Sequence, residues 1–104
     1  MARKPHAGPA SDPELLILSS LAGEPKHGYA ILADVEAFAG IRLGPGTLYT
    51  AITRLVDKGW IAPEAAAGRQ RPYRLTGAGA VCLEEMLKNI RRVSRIGMER
   101  LRPA

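Results

Sequence analysis

Apolar residues in this chain fall into short runs of changing period, separated by breaks rich in glycine, proline and charge. Leu15, Leu16, Ile17, Leu18 and Leu21 are apolar nearly all round a helix, so a helix here belongs in the middle of a domain. Asp12 is placed to accept its orphan N–H groups, Pro13 suits its first position, and Gly23-Glu24-Pro25 stops it. Tyr29, Ile31, Leu32, Val35 and Phe38 predict the buried stripe of a second helix, running from about His27 to Phe38 or Ala39 and ended by Gly40. The alternation of Ile41-Arg42-Leu43 suggests a short edge strand. Leu48, Ile52, Leu55 and Val56 then recur at spacings of three and four, which predicts a third helix between Gly44-Pro45 and Lys58-Gly59.

Beyond Gly59 the pattern changes. Trp60 to Pro63 and Gln70 to Leu75 read as two strands of a hairpin, joined by Glu64-Ala65-Ala66-Ala67-Gly68-Arg69. Thr76 starts a long last helix with Leu83, Leu87, Ile90, Val93, Ser94, Gly97 and Leu101 along one broad face. That face is more apolar surface than a small domain can cover, and a partner helix is the simplest cover. The fold class is therefore mainly α with a small β-hairpin, in the layout of a winged helix-turn-helix followed by a long C-terminal dimerisation helix. Residues 1–12 read as a flexible N-terminal arm, 13–76 as the winged helix and 77–104 as the dimerisation helix.

A length of 104 residues fits one domain that gains from oligomerisation. No apolar run approaches a bilayer span and no signal-peptide region opens the chain, so a cytoplasmic protein without membrane association is expected. The single cysteine, Cys82, makes neither a disulfide framework nor a zinc site within one chain. The net charge is +5, but its placement says more: residues 1 to 68 hold six Lys/Arg against seven Asp/Glu, and residues 69 to 102 hold nine against three. Cationic charge gathered on the hairpin and last helix points to a polyanionic partner such as DNA.

Catalytic chemistry finds no footing. His27 has only His6 as a companion, no nucleophile stands with a base, and no metal-ligand spacing occurs, so no enzyme, metal or cofactor is expected. Gly44-Pro45-Gly46-Thr47 lacks the lysine and glycine spacing of a phosphate loop and reads as a helix start, whose free N–H groups suit a DNA phosphate. On the face of the third helix opposite its apolar stripe lie Thr47, Tyr49, Thr50, Thr53 and Arg54. Small hydroxyls and an arginine suit the floor of a major groove better than a merely solvated surface. Tyr29 and Tyr49 leave two uses open, packing by the ring and a phosphate contact by the hydroxyl. Arg69, Arg71 and Arg74 lie at the hairpin turn and along its second strand, where arginines reach phosphates or an adjacent minor groove.

His27-Gly28-Tyr29, then Pro45-Gly46-Thr47-Leu48-Tyr49, then the order of Gly68, Arg69, Arg71 and Tyr73 closely resemble the HGY, PGTLY and GRxRxY pattern of the PadR family of transcriptional regulators. The resemblance is close over residues 13 to 76 and loose elsewhere. Serine often stands in that family at the place of Gly44 and proline at that of Thr50; these departures cost little as capping, and Thr50 is expected to change what the third helix reads. The resemblance implies a homodimeric regulator, most simply a repressor on a pseudo-palindromic operator, with release by a small-molecule effector as a further implication. Double-stranded DNA is the partner. Leu83, Met86, Leu87, Ile90, Ser94, Gly97 and Leu101 are the expected dimer face. Some relatives stack flat aromatic compounds between tryptophans of the last helix, whereas this chain has no aromatic residue after Tyr73. An effector would instead meet the first helix, the aliphatic face of the last helix near Met86 and Ile90, and Trp60 if it turns inward. The rival reading is a winged helix used for protein–protein interaction without sequence-specific DNA binding.

Overall fold

Asp12 caps the first helix as its chemistry requires, its carboxylate accepting from the Leu15 N–H at 3.1 Å. The computed structural model describes residues 11–64 and 72–103. Four helices and one hairpin follow in the order α1 (Pro13–Gly23), α2 (Gly28–Ala39), α3 (Pro45–Asp57), β1 (Ile61–Pro63), β2 (Tyr73–Leu75) and α4 (Gly77–Leu101). Helix α1 buries Leu15, Leu16, Ile17, Leu18, Ser20 and Leu21. It forms the axis on which α2, α3, β2 and the start of α4 all pack.

The core gathers Ile31 and Val35 of α2, Leu48, Ala51, Ile52 and Leu55 of α3, Ile61 of β1 and Leu83 of α4 around α1. Two expectations for α2 need correction. Tyr29 lies two residues before Ile31, on the opposite side of the helix, and is 83% exposed. Phe38 has the core-facing azimuth but sits in the last turn, where half of its surface remains outside.

The ends of α3 explain how it is held. Gly59 adopts the left-handed region at φ 78°; its N–H donates to the Val56 carbonyl at 2.9 Å and the Trp60 N–H to that of Leu55 at 3.0 Å. This pair of bonds is a Schellman motif, and it turns the chain straight into β1. Strand β1 pairs antiparallel with β2, Ile61 opposite Leu75 and Pro63 opposite Tyr73.

Ile41-Arg42-Leu43 forms no strand. The free edge of β2 is taken instead by the α1–α2 connection: Lys26 N–H donates to the Tyr73 carbonyl at 3.0 Å and Tyr73 N–H to that of Lys26 at 2.8 Å. Ile41 and Leu43 pack against the core by their side chains. The Lys26 ammonium also donates to the Ser20 carbonyl at 2.6 Å and lies 3.8 Å from Asp34, which accepts from the Ser20 hydroxyl at 2.7 Å. One residue thereby ties α1, α2 and the hairpin together.

Thr76 caps α4, its hydroxyl accepting from Gly79 N–H at 3.0 Å and donating to the Gly59 carbonyl at 2.6 Å. At Gly79 a Cβ would fall on the carbonyl oxygen of Trp60 and reach Leu75 Cδ1 at 2.9 Å. Only a glycine lets α4 lie this close to the hairpin.

Candidate nucleic-acid interface

Packing of Leu48, Ala51, Ile52 and Leu55 into the core turns the opposite side of α3 outward. Thr47, Tyr49, Thr50, Thr53 and Arg54 are all exposed there. Thr53 donates its hydroxyl proton to the Tyr49 carbonyl at 2.9 Å, so outward it offers acceptor lone pairs and a methyl group. Thr47 and Thr50 share a cleft of about 310 Å³ with Arg54 and with Asp12, Pro13 and Glu14 of α1.

The His27-Gly28-Tyr29 and Pro45–Tyr49 stretches prove to be two halves of one contact. A Cβ on Gly28 would come within 2.6 Å of the Tyr49 hydroxyl and 3.1 Å of the ring carbon that bears it. Glycine at the first turn of α2 thus makes the seat for the Tyr49 ring, which still keeps 51% of its surface exposed. Of the two uses open to that side chain, the structure shows the packing of its ring end at the start of α2. Tyr29 does not pack in this way; it is largely exposed and lines a cleft of about 300 Å³ with Leu32, Ala33, Glu36, Arg42 and Leu43.

Capping sets α2 and α3 apart from the other helices. Asp12 and Thr76 cap α1 and α4 by side-chain hydrogen bonds, but neither His27 nor Gly44 makes one to α2 or α3. The first N–H groups of α2 and α3 remain as donors with the positive end of each helix dipole behind them. Both helix starts belong to the same helix–turn–helix unit as the exposed threonines.

The hairpin stands next to α3, since β1 packs directly on it. Arg74, opposite Ala62, is exposed. Arg69 and Arg71 lie outside the described residues.

Along α4 the expected dimer residues separate into two groups. Leu83 is 5% exposed and belongs to the core of its own protomer, with Met86 and Ile90 half-buried against that core. Leu83 therefore has little surface left to offer a partner. Leu87, Ser94 and Leu101, spaced by sevens, are exposed, as is Gly97. From Arg91 to Pro103 every residue is exposed except half-buried Ile96. This half of α4 is supported by its own i,i+4 pairing of Arg95 with Glu99 at 3.5 Å, a weak contribution.

Trp60, Met86 and Ile90 were expected near an effector, and they all pack on the core. Lys58 Nζ stands 4.5 Å from the Trp60 ring centroid and 2.7 Å from Glu14, so one ring face is already covered. A groove beside α4 is lined by Ala22, Leu75, Ala80, Leu83 and Leu87 together with the charged Glu84, Lys88 and Arg91, and by none of those three. Among the described residues no group of three or more His, Cys, Asp and Glu could hold a metal ion. No described helix is long and apolar enough to cross a membrane.

The sequence model of the transcriptional regulator PadR-like family matches residues 17–85, from α1 into α4. The chain belongs to this family. It is a family of transcriptional regulators, not of enzymes. The chain is similar to a PadR family transcription regulator from Clostridium difficile, with 27% identity and a TM-score of 0.76 over 86% of this chain and 98% of the other. It is also similar to a PadR family transcriptional regulator from Eggerthella lenta, with 31% identity and a TM-score of 0.70 over 89% of this chain and 83% of that one. Among curated proteins it is 46% identical over 84 residues to an uncharacterized 37.1 kDa transposon protein from Streptomyces fradiae. That match covers 81% of this chain, which spans 24% of the relative's length.

Proposed function

We propose that this PadR-like chain binds a pseudo-palindromic DNA operator as a homodimer and acts as a repressor. The observation that carries the reading is the outward face of α3, where exposed threonines and an arginine share one helix–turn–helix unit with two helix starts that lack side-chain caps. In this reading α3 lies in the major groove. Thr47, Thr50 and Thr53 face base edges, while Arg54 and the Tyr49 hydroxyl face phosphates together with the first N–H groups of α2 and α3. Tyr29 reaches the backbone from the start of α2. The hairpin sets Arg69, Arg71 and Arg74 against the flanking backbone or minor groove.

Members of the family commonly form dimers. For this chain the support is the projecting half of α4, with Val93, Met98 and Leu101 all more than half exposed. A helix with these residues bare in water gains most by pairing with a second copy. Residues 13–76 would then be the reading unit and 77–104 the pairing helix, with Leu87, Ser94 and Leu101 at its seam, flanked by Ile90 and Gly97.

Selection of duplexes from a random pool by the purified protein tests this. The expected result is an enriched inverted repeat whose half-sites are centred one helical turn, ~34 Å, apart. Ala substitutions at Thr47 or Thr50 should change the preferred base at one or two positions, each shift worth about 1–3 kcal/mol. A pool that enriches no sequence would favour the protein-interaction reading instead.

A further inference from the structure

Charge is segregated along α4. Its first part, Gly77 to Leu87, holds Glu84 and Glu85 and no Lys or Arg, whereas Lys88, Arg91, Arg92, Arg95, Arg100 and Arg102 follow against Glu99 alone. Two such helices laid parallel would set basic half beside basic half. Laid antiparallel, the basic half of each meets the acidic half of the other, and repulsion gives way to attraction.

The groove beside α4 opens at that boundary. It has a volume of about 490 Å³ and lies between α4, Ala22 at the end of α1 and Leu75 of β2. Leu87 on its α4 side keeps 45% of its surface exposed, and Glu84, Lys88 and Arg91 beside it are exposed as well. Met86 and Ile90 lean instead on the core of their own protomer. The groove is therefore the open side of the seam that runs through Leu87.

We propose that this groove receives α4 of a second copy, antiparallel and centred between Lys88 and Asn89, with Glu84 of each copy against Arg91 of the other. The proposal rests on the homodimer reading given above. The seven-residue spacing of Leu87, Ser94 and Leu101 makes these the a positions of a heptad, with Ile90 at d and both Glu84 and Arg91 at e. Charges at e set the orientation and register of paired helices. In an antiparallel pair a faces d and e faces e. Sliding one copy by a heptad in either direction puts Glu84 on Glu84 or Arg91 on Arg91. Only the register between them joins opposite charges, and it does so twice, as a two-fold axis requires. The same register sets Leu87 against Ile90 of the second copy. Glu84 has little to give up in this arrangement, since its contact within the protomer is a surface pair with Lys88 at 3.5 Å.

Sedimentation equilibrium of the full chain tests the arrangement. Glu84→Arg and Arg91→Glu each turn two attractive contacts per dimer into repulsive ones, and each should raise the dimer Kd roughly tenfold or more. Combining the two should return Kd to within about threefold of the parent. Mixing the two single variants should give a heterodimer tighter than either homodimer, because one chain then carries arginine at both positions and the other glutamate. Glu85→Arg makes the same charge change away from the seam and should shift Kd far less. Equal losses in Glu84→Arg and Glu85→Arg, or no rescue in the combined variant, overturn the proposal. So does a tighter dimer in Glu84→Ala or Arg91→Ala, which would show like charges in contact. The two readings fail differently. A parent that sediments as a monomer removes the homodimer reading and this one together, whereas a dimeric parent whose Kd ignores these substitutions removes only the antiparallel seating in the groove.

Discussion

Gly28→Ala separates the architecture of the interface from its stability. The new methyl would sit 2.6 Å from the Tyr49 hydroxyl and 3.1 Å from the ring carbon that bears it. To regain ordinary van der Waals contact the hydroxyl must retreat by about 0.8 Å. The tyrosine has room to do so, because it is half-exposed and the atoms in conflict are the far end of a side chain. The fold should survive, and alanine's higher helix propensity offsets any residual crowding by up to ~1 kcal/mol. Binding should suffer, since a hydrogen bond to phosphate does not tolerate a displacement of that size. Loss of one such bond to a charged group is worth about 1.5–3 kcal/mol, or a roughly 10- to 150-fold rise in Kd. It should appear equally on operator and random DNA, as expected for a contact that carries no sequence information. Tyr49→Phe should weaken binding by a similar factor, and the double variant should be little worse than either single one. Thermal melts alongside anisotropy titrations measure both quantities. Parent-like affinity in Gly28→Ala would refute a phosphate contact by the Tyr49 hydroxyl, and a large fall in melting temperature would refute a ring free to yield.

The corresponding change at Gly79 should act on stability, because its methyl meets the Trp60 carbonyl, which is backbone and cannot swing aside. Gly79→Ala should cost about 2 kcal/mol or more, read as a lowered urea midpoint; a variant of parent stability would show that α4 can lift from the hairpin at little cost. Leu83→Asp should unfold the domain, since it places a charge where the leucine is 5% exposed. Leu87→Asp, at 45% exposure, should leave it folded and monomeric by sedimentation; a dimer that persists would place the interface away from the Leu87 seam. Arg74→Ala on β2 should lower the salt slope of DNA binding by roughly 0.9 without changing base preference, and an unaltered slope would take this arginine off the DNA.

Local chemistry determines much of this protein. Asp12-Pro13, Gly40, Gly44-Pro45, Gly59 and Thr76 each set a helix boundary by capping or left-handed geometry that any context would impose, and the boundaries fall there. The period of Leu48, Ile52 and Leu55 likewise decides which side of α3 faces outward, because that spacing defines one face of a helix regardless of what covers it. The outward set from Thr47 to Arg54 was readable for that reason.

Contacts between elements distant in the chain were not. A single sequence carries no sign that Lys26, rather than Ile41–Leu43, completes the sheet, since strand pairing depends on which backbone the packing of α1 brings to the edge of β2. The role of Gly28 beneath Tyr49 was hidden in the same way: a glycine in the first turn of a helix does not say what it will face, and its purpose shows only once α3 crosses it. On α4 one apolar face serves two ends. The sequence shows a continuous stripe, and only the packing of α1 and the hairpin divides it. Leu83 falls inside the protomer, Met86 and Ile90 stay half-buried, and Leu87 and Leu101 are left bare. Burial is a property of what lies opposite a side chain, and that is decided by the assembled fold.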